Sequence, residues 1–175
     1  ELEIDNINPE IIKTDLNLLK KIGAIIKTSN NQIFIKGPKK IKRIKNIVTK
    51  EYPGVATDLQ SQLMVLMCKA NGKSIITENI FSNRFSHAAE LKRLGAKIDI
   101  RDNKAFIEGV KKLVAAPLIS SDLRGSIALV LAATVAEGVS KVDRVYHAYR
   151  GAENFVNKFK KIGVIIKVVK KWVSI

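Results

Sequence analysis

The sequence predicts an α/β (α+β) fold assembled from a repeated βαβαββ unit, and three observations predict it. The string Leu19-Lys20-Lys21-Ile22-Gly23 returns as Leu91-Lys92-Arg93-Leu94-Gly95 and as Phe159-Lys160-Lys161-Ile162-Gly163, with the glycines 72 and 68 residues apart. A second string, Thr57-Asp58-Leu59, returns 64 residues later as Ser121-Asp122-Leu123. Asn30-Asn31 and Asp102-Asn103 each separate a pair of short alternating runs. Self-similarity at a near-constant spacing identifies one supersecondary unit used several times, and it constrains the fold before any single motif does.

Each element follows from local chemistry. Apolar residues at helical spacing, such as Phe85, Ala89 and Leu94, lead to a glycine and then to alternating residues, which predicts a helix closed by a C-terminal glycine and followed by a strand. The Asn30-Asn31 and Asp102-Asn103 pairs turn that strand into a hairpin with Gln32 to Lys36 and with Lys104 to Glu108. The third copy runs instead into Lys170-Lys171-Trp172. Thr57/Asp58 and Ser121/Asp122 offer cap-type oxygens at the start of two further helices, whose apolar faces carry Leu59, Leu63 and Leu66, and Leu123, Ile127, Val130 and Leu131. These helices are predicted to end near Gly72 and Gly138, with short strands at Ser74 to Thr77 and Ser140 to Val142. The repeats fall at about 1–37 (partial), 38–109 and 110–175. A chain that opens inside its first repeat leaves that unit unable to bury its own apolar face, so partner sequence is expected before it.

Composition narrows the class. With 175 residues, 46% of them apolar, one domain of ordinary size can bury a core without staples. One cysteine forms neither an internal disulfide nor a metal cluster and fits a reducing cytoplasm. No apolar run approaches the roughly 20 residues that cross a bilayer as a helix. The charge of +15 raises nucleic acid as a partner. However, 24 of the 31 basic residues are lysines spread along the chain. The densest run, Lys36 to Lys50, has Ile41, Ile44, Ile47 and Val48 between its cations. Aliphatic residues supply no stacking platform, so this run reads as a solvated face and neither nucleic acid nor membrane is expected as a partner.

With these strings laid out, the chain resembles the enolpyruvyl transferases, and within them the branch whose acceptor is UDP-N-acetylglucosamine. The resemblance spans essentially all 175 residues and rests on Tyr52 to Gln60, Ile76 to Phe85, His87, Glu90-Leu91, Ser121 to Arg124 and Asp143 to Gly151. It implies an inside-out α/β barrel, three repeats packing their helices around an internal axis, in one of two similar domains that enclose the active site. This chain is then most of one domain, and a second domain upstream carries the catalytic cysteine. Cys68 is not that cysteine. Among Leu66, Met67 and Ala70 on a predicted helix it reads as a small buried hydrophobe.

The resemblance also implies the chemistry: transfer of the enolpyruvyl group of phosphoenolpyruvate to the 3′-hydroxyl of UDP-N-acetylglucosamine with loss of phosphate, in peptidoglycan precursor synthesis. No cofactor or metal is implied. A sugar hydroxyl is a weak nucleophile, so a carboxylate must take its proton as the bond forms, and Asp58 matches the family's position for this and for holding the sugar. Pattern alone favours a helix cap for Asp58; the resemblance turns the assignment to the base. Guanidinium groups bind phosphate and carboxylate through paired donors. Arg150 matches the arginine placed on phosphoenolpyruvate, Arg124 lies in a second substrate-facing loop, and Arg84 matches an arginine near the cleft. Surface ion pairs are the plain alternative for all three. Ile80 aligns with a position whose backbone contacts the nucleotide sugar. His87 and His147 have no neighbouring ligand cluster and read as hydrogen-bonding structural residues. The chain departs from the family at Tyr149, where Asp is usual before the arginine, and at Gly125, where Ala is usual and Gly weakens a helix by roughly 1 kcal/mol. Two alternatives stand beside this: the branch acting on shikimate 3-phosphate, and a non-catalytic basic RNA-binding or scaffold module.

Overall fold

The computed structural model describes residues 1–169. A first unit runs β1 (Leu2–Asp5), α1 (Lys13–Lys21), β2 (Ile25–Ser29) and β3 (Gln32–Lys36), with the strands antiparallel in the order β1-β3-β2. A second runs β4 (Asn46–Val48), α2 (Gln60–Lys69), β5 (Lys73–Thr77), α3 (His87–Arg93), β6 (Lys97–Arg101) and β7 (Lys104–Glu108). Its sheet has the order β4-β5-β7-β6, with β4 parallel to β5 and the rest antiparallel. A third contains β8 (Leu113–Val114), β9 (Pro117–Ile119), α4 (Leu123–Val135), β10 (Ala136–Glu137), β11 (Lys141–Asp143) and α5 (Phe155–Lys161).

The helix ends explain the recurring glycines. Ala24 N–H donates to the Leu19 carbonyl and Ala96 N–H to that of Leu91, closing each helix with a six-residue bond around a glycine at φ +103° or +90°. That left-handed conformation is open to glycine and strained for other residues. The two-residue loops Asn30-Asn31 and Asp102-Asn103 then join β2 to β3 and β6 to β7 as anticipated.

The third unit departs from expectation. Val164 to Val169 follow Gly163 but form no strand among the described residues. In the other two units the run after the glycine is held by a hairpin partner; here no such partner lies among the described residues, and a strand without a ladder has nothing to satisfy its backbone. The expected ending at Lys170-Lys171-Trp172 lies outside the described residues.

The layers are helices inside and sheets outside. α2 buries Gln60, Ser61, Leu63, Met64, Val65, Met67 and Cys68, residues distributed all round its axis, and α4 buries Ala128, Leu129, Val130 and Ala132. A helix enclosed on every side is a core helix, in contrast to an amphipathic surface one. One face of the outer sheet supplies Ile76, Ile98, Ala105 and Ile107 to the same cluster. The opposite edges carry exposed Lys97, Asp99 and Lys104, the period-two alternation of a sheet with one wet face. In the Lys36 to Lys50 run the cations are exposed, while Ile47 is buried and Ile41 and Ile44 pack against the core. Among the described residues no helix is long and apolar enough to cross a membrane.

Candidate functional site

The site begins where β5 ends. Glu78, the next residue, is 2% exposed, and its carboxylate accepts from the Thr49 hydroxyl (2.9 Å), the Thr57 hydroxyl (2.8 Å) and the backbone N–H groups of Ile80 (2.9 Å) and Phe81 (3.2 Å). Four donors on one carboxylate curl the chain after β5 back toward the start of α2. Asn83 takes a positive φ of 56°, and Arg84 comes to lie over the Phe81 ring, its guanidinium carbon 4.3 Å from the ring centre. From there Arg84 Nη1 donates to Thr57 Oγ1 at 2.7 Å and stands 3.6 Å from Asp58 Oδ1.

Arg124 approaches the same oxygen from the other side. It is the second residue of α4, whose N-cap Asp122 accepts from the N–H groups of Arg124 (3.0 Å) and Gly125 (2.8 Å). The Ser61 hydroxyl bonds the Arg124 carbonyl at 3.2 Å and ties α2 to α4, and Arg124 Nε reaches Asp58 Oδ1 at 2.5 Å. Two guanidinium groups thus share one carboxylate oxygen. Asp58 Oδ2 has no hydrogen-bond partner among the described residues, and the side chain is 62% exposed. Arg84 and Arg124 also help line a cavity of about 320 Å³ with Thr57, Gln60, Phe81 and His87. A larger, shallower depression of about 680 Å³ beside the β2–β3 turn is lined by Asp5, Asn6 and Ser29 to Gln32. Its lining holds one carboxylate, Asp5, which accepts from Gln32 Nε2, and no cation to receive an anion.

Two groups on the cavity wall are held away from their ordinary protonation. Burial pushes the His87 imidazole down to about 4, against the opposing pull of Asp122. Burial works against the charge of Asp122, but the Gly125 amide with the Ser86 and Ser121 hydroxyls overcomes it and holds this carboxyl below its usual value. Cys68 is fully buried, and burial pushes its thiol up to about 12. Among the described residues there is no group of three or more side chains suited to a metal ion.

The model of the family described as EPSP synthase (3-phosphoshikimate 1-carboxyvinyltransferase) matches residues 1–159. The chain belongs to the EPSP synthase family. Among proteins of known name, UDP-N-acetylglucosamine 1-carboxyvinyltransferase of Pelagibacter ubique (strain HTCC1062) is 54% identical over 95% of this chain and 40% of its own length. The protein of the same name from Desulfosudis oleivorans (strain DSM 6200 / JCM 39069 / Hxd3) is 46% identical over 97% of this chain and 40% of its own length. The chain therefore spans about 40% of these relatives. In fold it is similar to the enolpyruvyl transferase NikO from Streptomyces tendae, with TM-score 0.83 and 24% identity over 95% of this chain and 39% of that one. It is also similar to EPSP synthase from Acinetobacter baumannii, with TM-score 0.77 and 20% identity over 96% of this chain and 42% of that one.

Of the residues singled out in this EPSP synthase family chain, the structure brings Arg84 and Arg124 each into contact with Asp58. Ile80 is half-buried beside them, with its N–H committed to Glu78. Arg150 is not gathered with them. It ends a 3-10 segment, Val145–Arg150, is exposed, and makes no ion pair or side-chain hydrogen bond among the described residues.

Two readings are corrected. Thr57 and Asp58 do not cap α2: they lie inside a 3-10 turn, Thr57–Leu59, that precedes it, and Ala56 occupies the cap position of that turn without a side-chain bond. The histidine side chains make no hydrogen bond among the described residues: His87 Nε2 is buried without a partner, and the His147 ring lies tilted against Tyr146 at 4.3 Å. What the sequence reading missed is Glu78. A glutamate directly after an apolar strand, opening a polar stretch with no periodicity, is the available signal, and it is faint.

Proposed function

We propose that this chain provides the acceptor-activating region of a cytoplasmic UDP-N-acetylglucosamine 1-carboxyvinyltransferase serving peptidoglycan synthesis, and that its three units form most of one of the enzyme's two domains. The observation that carries this reading is the exposed Asp58 carboxylate between Arg84 and Arg124 beside the cavity, in a chain 54% identical to a relative of that name. Asp58 takes the proton of the sugar 3′-hydroxyl as its oxygen bonds to the central carbon of phosphoenolpyruvate, while a proton joins the methylene carbon. Loss of that second proton with inorganic phosphate restores the vinyl group on the sugar. Arg124, Arg84 and Arg150 face the phosphate and carboxylate charges. With the Ile80 N–H occupied by Glu78, its carbonyl is the backbone group left for a sugar hydroxyl. Neither metal, nucleic acid nor membrane takes part. A second domain, with its cysteine loop, completes the pocket, so the 175 residues alone are expected to be inactive.

The family description and the fold likeness to an EPSP synthase favour shikimate 3-phosphate as the competing acceptor. Phosphate release by a polypeptide of the relatives' full length, offered each acceptor with phosphoenolpyruvate, separates the two. Release with UDP-N-acetylglucosamine alone is expected. Release only with shikimate 3-phosphate, or robust turnover by the 175 residues in isolation, overturns the reading.

A further inference from the structure

Glu78 is a buried carboxylate with no ion-pair partner among the described residues, so hydrogen bonds alone must offset the cost of its burial. Its four bonds come from neutral donors, and one of these differs from the rest. Thr57 Oγ1 gives its only proton to Glu78 Oε2 and so can only accept from Arg84 Nη1. The result is a chain, Arg84 to Thr57 to Glu78, in which each hydrogen bond polarises the next. It fixes a guanidinium that is 19% exposed, wedged over the Phe81 ring and 3.6 Å from Asp58. The same carboxylate holds the Phe81 N–H, so ring and hydroxyl, the two supports of Arg84, depend on one buried side chain.

We propose that Glu78 is a positioning residue for the transfer reaction: acting through Thr57, it locks Arg84 beside Asp58 without touching substrate. This rests on the function proposed above. Glu78→Gln keeps the shape but replaces one acceptor oxygen by a donor facing donors, and Thr57→Val keeps the packing while removing the hydroxyl link. In a polypeptide of the relatives' full length, each is expected to lower kcat/KM about tenfold, the scale of one hydrogen bond to a charged group. The decisive readout is a double-mutant cycle with Arg84→Met. If Glu78 acts through Arg84, adding Glu78→Gln to Arg84→Met changes kcat/KM by less than about twofold, because the group it positions is already gone. A role confined to loop structure lowers activity by the same factor in both backgrounds and overturns the proposal.

Should Glu78→Gln fail to fold, the same cycle with Thr57→Val decides, with the same two outcomes. If the parent polypeptide transfers enolpyruvate and depends on Asp58 while both variants stay within about twofold of it, the role of Glu78 falls and the function stands. Absence of transfer by the parent overturns both.

Discussion

Asp58 and Asp122 occupy the same place in strings 64 residues apart, each after a hydroxyl residue and before a leucine at the mouth of a buried helix. Asp122 is extended (φ −153°, ψ 171°) and turns its Oδ1 onto the first N–H groups of α4. Asp58 sits one step later in the geometry, inside a 3-10 turn, with Thr57 drawn away by Glu78 and Arg84. Its carboxylate is therefore spared from capping and left in reach of two arginines. One aspartate holds a helix and presents Arg124; the other receives Arg124 and keeps an oxygen free. The repeated string supplies two equivalent carboxylates, and the local turn decides which is spent on a helix cap and which stays exposed between two arginines.

In a polypeptide of the relatives' full length, Asp58→Asn is expected to lower enolpyruvyl transfer by roughly 100- to 10,000-fold, the scale of a lost general base. Thermal unfolding of the same variant is expected to move by no more than about 0.5 kcal/mol, as for an exposed side chain that caps nothing. A stability loss equal to that of Asp122→Ala erases the contrast.

The pH dependence of stability sharpens it next. His87 is neutral in the fold down to about 4, whereas the unfolded chain takes up a proton near 6.5. Its contribution is thus complete above about pH 6.5 and is lost as pH falls toward 4, roughly 3 kcal/mol in all. Asp122, held below its usual value, contributes above about pH 4 and loses its share only as pH falls through its folded value. Urea unfolding between pH 7 and 4 is expected to show the first loss and His87→Gln to flatten it. Unchanged pH dependence in that variant assigns the loss elsewhere.

A smaller effect belongs to the cap itself: Asp122→Ala is expected to cost about 1 kcal/mol by thermal unfolding. Smallest is Gly125→Ala. Propensity alone promises a gain of about 1 kcal/mol, but an added Cβ would stand 2.8 Å from Asp122 Oδ2. Less than half of that promise is expected to appear in the melting transition; the full gain shows that the cap yields freely.

The fold was legible where chemistry is local. Gly23 and Gly95 announce their positive φ, and Asn30-Asn31 and Asp102-Asn103 announce their turns, because a short string suffices for each. The strand expected after Gly163 did not appear among the described residues, since pairing depends on a partner that no local string guarantees. The site was half legible. Asp58, Arg84 and Arg124 were found through resemblance, yet the cap pattern alone pointed Asp58 the wrong way, because Thr-Asp-Leu reads identically ahead of a 3-10 turn and an α-helix. Glu78 escaped since a carboxylate sealed by Thr49, Thr57 and two amides leaves no periodic trace. His87 was misjudged because burial without a partner is invisible before packing is known, and His147 because its contact with the Tyr146 ring depends on the local turn.

The way α2 seals Cys68 has a practical side. At neutral pH its sulfur is protonated and out of reach of maleimides. A cysteine installed at exposed Ser82, two positions from Arg84, would carry a fluorophore with no competing label elsewhere on this chain, making the loop after β5 an optical gauge of what enters beside it.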